Sequence, residues 1–186
     1  MKGILWPVPK KYGISQPFGR STIRAEPTMY AQSKAGVWIK CRPTSFSDAK
    51  GKYEDFHPGV DVACPVGTPL RAPADGKVVE TITYRIYNPF IQRYVYGRYL
   101  QFRFGNAIFL ADHLSRFVVS KGTKVTEGDI IARTGNSGLS SGPHVHMETR
   151  LLDEDKDPSL SWGSYRFNME LLEKGEELAE LKFIQD

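Results

Sequence analysis

Two imidazoles one residue apart, His144 and His146, follow a run that cannot be helical: Thr134-Gly135-Asn136-Ser137-Gly138-Leu139-Ser140-Ser141-Gly142-Pro143. The glycines and the proline mark a tight loop. His144-Val145-His146-Met147-Glu148 then alternates polar and apolar, which is the period of a strand with one wet face. On such a strand His144 and His146 point the same way. Two nitrogens so placed can share a metal ion, or one can bind it while the other faces a substrate. For an H-x-H standing alone, a hairpin with two surface histidines is the plain alternative.

A second pair of candidates lies upstream in Phe56-His57-Pro58-Gly59-Val60-Asp61. A helix would place His57 and Asp61 on one face, but Pro58 and Gly59 favour a turn, so the two side chains converge only through a bent backbone. The remaining histidine, His113, falls at or near the end of the apolar run that begins at Ala107. None of the four histidines sits in the carboxyl-terminal segment or in the long first loop, where packing alone would have put some of them. Three protein ligands and one open position is the arrangement of catalytic zinc, which acidifies a bound water to a pKa of about 7 and polarises a carbonyl. Two imidazole nitrogens and one carboxylate match that demand.

The elements that must position these groups read as mostly β. Pro65-Val66-Gly67-Thr68-Pro69 and Ala72-Pro73-Ala74-Asp75-Gly76 divide short apolar pieces with Gly and Pro turns, the punctuation of an all-β domain. Strands are expected from Lys77 to Ile86 and from Tyr99 to Phe104. Between them Tyr87 to Arg98 reads as an aromatic-rich loop, whose rings either pack or line a binding groove. Gly105-Asn106 between two alternating runs predicts a hairpin. Trp6 to Arg20 reads as an extended lead-in along the rim of a sheet, and Gly36 to Lys40 as a short strand. Asn168 to Ile184 has the apolar spacing of an amphipathic helix, weakened by Gly175 and suited to covering one face of the sheet.

The chain has 186 residues, enough for one domain burying roughly 70% of its unfolded surface. Hydrophobic content of 40% with 25% charged residues is that of an ordinary globular chain. A net charge of +4 and a pI near 9.0 suit a polyanionic neighbour such as a cell wall, lipopolysaccharide or nucleic acid, without selecting among them. Lys and Arg are not dense enough anywhere to form a nucleic-acid stripe. Cys41 and Cys64 have no C-x-x-C spacing, so neither a thiolate zinc site nor a disulfide framework is indicated, though a single bridge stays open. Prolines interrupt the amino terminus before an apolar run reaches signal-peptide length, and no later run approaches a membrane span.

Taken together, these motifs resemble the M23 family, the lysostaphin and LytM type of zinc endopeptidase that cuts peptidoglycan cross-links. His57-Pro58-Gly59-Val60-Asp61 matches the family's H-x-x-x-D, and His113-Leu114-Ser115 its H-L-S. Ser140-Ser141-Gly142-Pro143-His144-Val145-His146-Met147-Glu148 matches S-x-G-x-H-x-H-x-E. The resemblance implies a mostly β fold, an antiparallel sheet core with an open groove, to which the carboxyl-terminal helix is added. It implies one Zn2+ per chain held by His57, Asp61 and His146, with His113 and His144 off the metal as the catalytic pair. Glu148 is expected either to support a metal ligand or to be a solvated edge carboxylate. Residues 1–186 are expected to be a single peptidase domain, with a catalytic core at about 14–158 and an extension at 159–186.

The family's pattern is broken in one place. Members commonly carry a tyrosine two residues before the H-L histidine, where this chain has Ala111. Tyr53 is a candidate to supply a hydroxyl in its stead. The expected partner is the peptide cross-link of peptidoglycan, with no nucleic acid and no integral membrane contact. The expected setting is that of a phage lysin or virion-borne lysin, made without a signal peptide and acting at the bacterial wall. An inactive scaffold serving as a wall-binding, activator or virion module is the alternative of a different class, and it normally goes with lost ligands.

Overall fold

A computed structural model describes residues 4–17, 19–20, 30–32, 38–40, 56–57, 59–88, 91–105, 107–151 and 165–167. The regular structure among them is entirely strand. In chain order the first strands are β1 (Ile14–Gln16), β2 (Gly19–Arg20), β3 (Tyr30–Gln32), β4 (Trp38–Lys40), β5 (Phe56–His57), β6 (Val60–Ala63) and β7 (Pro69–Arg71). They are followed by β8 (Gly76–Asn88), β9 (Arg93–Phe104), β10 (Ala107–Asp112), β11 (Arg116–Phe117), β12 (Lys124–Val125), β13 (Ile130–Arg133), β14 (His144–Leu151) and β15 (Tyr165–Phe167). No helix of the described residues is long and apolar enough to cross a membrane. The helix expected over Asn168 to Ile184 lies outside the described residues.

Ten strands form one antiparallel sheet in the order β12-β8-β9-β10-β14-β15-β4-β3, with β6 on β14 and β1 on β6. Strand β14 is its organising element. One edge pairs with β10 from Asp112↔His146 to Ala107↔Leu151. The other pairs first with β6, from His144↔Ala63 to Met147↔Val60, and then with β15. A strand held on both edges cannot slip by one residue without sending every side chain to the wrong face.

Directly opposed residues share a face, so Val62 and Val145, Val60 and Met147, Ala111 and Leu100, and Phe109 and Phe102 all point one way. These side chains are fully buried. They form the core together with Leu70, Leu114 and Ile131, which come from the three-stranded sheet β11-β13-β7 or the segment leading into it. Ile4, Trp6 and Val8 are buried in the same core, and backbone bonds from Leu5 to Pro73 and from Arg71 to Pro7 hold that lead-in down. The opposite face, by the same pairing, carries Asp61, His146 and Asp112.

Of the stretch Tyr87 to Arg98, expected to be a loop, Tyr87 and Asn88 end β8 and the residues from Arg93 onward belong to β9. β8 and β9 continue in register through Arg85↔Tyr96 and Tyr87↔Tyr94 to Asn88↔Arg93, and the reversal falls between those last two residues, where Gln92 has a φ of 51°. The tyrosines that suggested a loop are strand formers, and they alternate with Ile86 and Val95 at the strand period. The hairpin arm is built because Asn88 anchors it: its side-chain amide donates to the carbonyl oxygens of Gly138 and Ser140 at 2.9 and 3.1 Å. The strand expected within Gly36 to Lys40 is present as β4, and the expected hairpin at Gly105 joins β9 to β10.

Candidate metal centre and its flanking imidazoles

Asp61 and His146 are Cα partners across β6 and β14, and the short turn from β5 to β6 brings His57 to the same place. That turn passes so close to β14 that a Cβ on Gly59 would lie 2.2 Å from the carbonyl oxygen of Met147 and 2.9 Å from the ring of His146. Only glycine fits there. The bent backbone that the sequence required is therefore supplied by Gly59.

Three donor atoms meet at this point. His57 Nε2 lies 3.1 Å from Asp61 Oδ1 and 3.0 Å from His146 Nδ1, and His146 Nδ1 lies 2.8 Å from Asp61 Oδ1. A tetrahedral ion with ligands at 2.0–2.1 Å has ligand-to-ligand edges of roughly 3.3 Å, so the three atoms need to move only a few tenths of an ångström to share one ion. Two nitrogens and a carboxylate oxygen are the donor set of a divalent transition metal. Among the described residues this is the group of histidine, cysteine and acidic side chains that could hold one.

Each imidazole of the cluster is oriented from behind. His57 donates Nδ1–H to the carbonyl oxygen of Pro17 at 3.0 Å, which leaves Nε2 for the centre. The rim strand near Ile14 to Gln16 thus leads into a residue that fixes a tautomer. His146 Nε2 lies 3.1 Å from Glu148 Oε1, and Glu148 Oε2 accepts from Arg150 Nε at 2.8 Å and Nη2 at 2.6 Å. Glu148 and Arg150 are both buried, so Glu148 is the supporting carboxylate and not a solvated edge residue. Burial works against the charge on His146, but the hydrogen bonds and charges of Asp61 and Glu148 outweigh it and hold its pKa up at about 10. Burial likewise opposes the Asp61 carboxylate, and His146 and His57 overcome this and keep it well below the usual range.

His113 and His144 stand beside this cluster. Their ring centroids are 4.5 Å apart, and His113 is 6.2 Å from His146. His144 Nε2 is 3.9 Å from Asp61 Oδ2. A carbonyl oxygen can only accept, so His113 Nδ1 donates to Ser137 at 2.9 Å and His144 Nδ1 donates to Gly142 at 2.8 Å. In the neutral rings Nε2 is then the bare nitrogen. Burial, reinforced by the neighbouring His144 and His146 rings, pushes the pKa of His113 down to about 3 and keeps it neutral.

Sequence reasoning missed the groups that hold His113. Its backbone is left-handed, with a φ of 62°, and its N–H donates to Asp112 Oδ1 at 2.6 Å. The hydroxyl of Tyr84 lies 3.0 and 3.3 Å from the two oxygens of the same carboxylate. The Tyr84 ring fits because Gly97 lies opposite it: a Cβ there would be 2.2 Å from a ring carbon. Ala111, at the place of the family's tyrosine, is buried on the core face and points away from this cluster. Tyr53 lies outside the described residues.

The family model described as Peptidase family M23 matches residues 55–158, a span that contains His57, Asp61, His113, His144 and His146. The chain belongs to peptidase family M23. Among curated relatives, the peptidoglycan DD-endopeptidase ShyA of Vibrio cholerae is 39% identical over 93 residues, which cover 50% of this chain and 20% of the relative. The glycyl-glycine endopeptidase ALE-1 of Staphylococcus capitis is 34% identical over 102 residues, covering 50% of this chain and 24% of the relative. The chain therefore spans about a fifth to a quarter of the length of these relatives. A solved zinc containing peptidase from Vibrio cholerae superposes with a TM-score of 0.53 at 25% identity, covering 80% of this chain and 36% of that one. The mostly β, antiparallel M23 metallopeptidase fold expected from the motifs is the fold of this protein. Cys64 is buried and free, and Cys41 lies outside the described residues.

Proposed function

We propose that this M23 domain hydrolyses the peptide cross-links of bacterial peptidoglycan as a zinc-dependent endopeptidase. The observation that carries the reading is the meeting of His57, Asp61 and His146 at 2.8–3.1 Å beside two further imidazoles whose Nδ1 atoms are already engaged. In this reading His57, Asp61 and His146 hold one Zn2+. The ion supplies a water acidified toward a pKa of about 7 and polarisation of the scissile carbonyl. Zinc is favoured by the nitrogen-rich donor set and by the similarity to a peptidase described as zinc containing.

The protein's own groups do the proton work. As water adds to the carbonyl carbon, Nε2 of His113 or His144 takes its proton, since Nδ1 of each ring is already engaged by a backbone carbonyl and Nε2 is the atom left to accept. The imidazolium so formed lies next to the tetrahedral oxyanion and stabilises it by charge and hydrogen bond. Where His113 carries the proton, burial disfavours its charge, and the ring returns the proton to the amine nitrogen as the C–N bond breaks. The products are a carboxylate and a free amine. Asp112 and Tyr84 hold the backbone of His113, while Glu148 and Arg150 hold the ring of His146.

The relatives named above act on two cross-link chemistries, and the higher identity is to the DD-endopeptidase. We take the DD type as the substrate. The test is digestion of purified peptidoglycans of the directly cross-linked and polyglycine-bridged types, with mass analysis of the fragments and a chelator control. New amine and carboxyl ends at the direct cross-link, abolished by the chelator, are expected. Intact cross-links in both types would support the inactive scaffold instead.

A further inference from the structure

From the register of three neighbouring strands, we infer that Lys124, Lys77 and Arg103 form a docking stripe for a linear phosphodiester polymer of the polyol-phosphate kind. Lys124 of β12 is the Cα partner of Lys77 on β8, and Lys77 is in turn the partner of Arg103 on β9. Directly opposed residues share a face, so the three cations stand in one row across the sheet, and all three are exposed. With strands about 4.8 Å apart, the row spans roughly 10 Å. The residues are far apart in sequence, and only the sheet brings them together. The backbone holds them there. Val78 N–H donates to Thr123 at 2.9 Å and Gly122 N–H to Val78 at 2.8 Å, which fixes β12 on β8. A Cβ on Gly76 would lie 2.2 Å from the carbonyl oxygen of Arg103, so β8 passes close to β9 beside the row.

Like charges directly opposed on a sheet are destabilising. No ion pair to any of the three occurs among the described residues to offset that cost. Glu80, one row along the same face and opposite Gln101, is already taken by Lys121, whose Nζ lies 2.8 Å from Oε2. Three uncompensated cations in a line fit a ligand that carries its anions in a line. The surroundings narrow its class. The exposed tyrosines of β8 and β9, Tyr87, Tyr94 and Tyr96, lie at the other end of the hairpin, and the apolar neighbours of the row, Val78, Phe102 and Val125, are buried. The stripe therefore offers no apolar wedge to a bilayer and no ring on which a base could stack. A hydrated polyol chain joined by phosphodiesters needs only the row of charges, and lysine meets phosphate as a point charge. The stripe shares the sheet face of Asp112 and His146: Arg103 is opposite Ile108, four residues along β10 from Asp112. It is independent of what the metal centre cleaves.

The experiment titrates the full chain with a fluorescently labelled oligomer of glycerol phosphate at several salt concentrations. Binding should weaken as salt rises, with a slope of log K against log salt of about −2, which is about −0.7 for each of three phosphates on a flexible strand. Lys77→Gln, at the centre of the row, should remove roughly a third of that slope. The triple variant Lys77→Gln, Arg103→Gln, Lys124→Gln should remove nearly all of it, with affinity down roughly tenfold or more. Arg116→Gln, an equal charge removed from the three-stranded sheet, should bind as the wild type does. Because the row repels itself, Lys77→Gln should also melt no lower than the wild type. A wild-type protein that does not bind the oligomer, or a triple variant with an unchanged slope, overturns the stripe. So does a Lys77→Gln protein that melts clearly lower, since the lysine is then structural. Tighter binding to an oligonucleotide with the same number of phosphates, or to phosphatidylglycerol vesicles, overturns the polyol-phosphate assignment.

Discussion

Asp61 and His146 face each other across β6 and β14, with Asp61 Oδ1 2.8 Å from His146 Nδ1, so a carboxylate and an imidazole 85 positions apart are set by one pair of strands. The ladder that makes this contact also places Met147 and Val145 in the core. The centre and the fold are thus registered by the same hydrogen bonds.

The Arg150–Glu148–His146 chain predicts that metal affinity and stability can be separated. Glu148→Gln removes the charge behind the ligand and should weaken zinc binding roughly ten- to a hundredfold. It also leaves a buried guanidinium without its ion partner, which costs about 3–5 kcal/mol. Adding Arg150→Met should recover most of the stability and none of the affinity. Chelator competition and thermal melts read the two quantities, and recovery of both together would mean that Glu148 acts on the fold alone.

The left-handed backbone of His113 predicts a role for Asp112 that does not depend on its charge. Asp112→Asn keeps an oxygen able to accept from the His113 N–H, so kcat should stay within a few-fold of the wild type. Asp112→Ala loses that acceptor and should lower kcat roughly tenfold or more with KM and zinc content unchanged, because small displacements of a proton-transfer group are costly. Steady-state kinetics on both variants tests this. A fall as large in Asn as in Ala would point to electrostatics and not to positioning.

The strand register was legible in advance where alternation was strong, as at His144 to Glu148, because period 2 leaves one face wet and one dry. The convergence of His57 with Asp61 was legible only as a requirement, since Pro58 and Gly59 exclude a helix without saying where the turn leads. The hairpin arm was misread because tyrosine is common in both loops and strands, and what extends the strands is the long-range bond from Asn88 to the loop at Gly138. Pro17, Asp112 and Tyr84 were invisible for the same reason. Their partners, a ring, a backbone N–H and a carboxylate, are chosen by tertiary folding and leave no local spacing to read.

Protons and zinc should compete for His146. With a pKa held up at about 10 in the metal-free protein, the ring is charged at neutral pH. A raised pKa stabilises the fold fully below the unfolded value of about 6.5 and loses that contribution as pH rises through about 10. The metal-free protein should therefore lose stability between about pH 7 and 10, and the zinc-loaded protein should not show this loss. Zinc binding should release close to one proton at pH 7, and its affinity should fall about tenfold for each unit that pH drops. Calorimetric titration in two buffers of different ionisation enthalpy measures that proton, and binding without proton release would remove His146 Nδ1 from the ligand set.

The most direct test of the centre is zinc per chain, measured by elemental analysis on the wild type, His146→Ala and His144→Ala purified side by side, with hydrolysis of cross-linked peptide assayed on the same samples. One zinc, almost none and one zinc are the predicted values, with activity lost in both variants and the loss in His144→Ala roughly a hundred- to ten-thousandfold in rate. An empty site in His144→Ala, or a full one in His146→Ala, would contradict the division between metal-holding and proton-handling imidazoles.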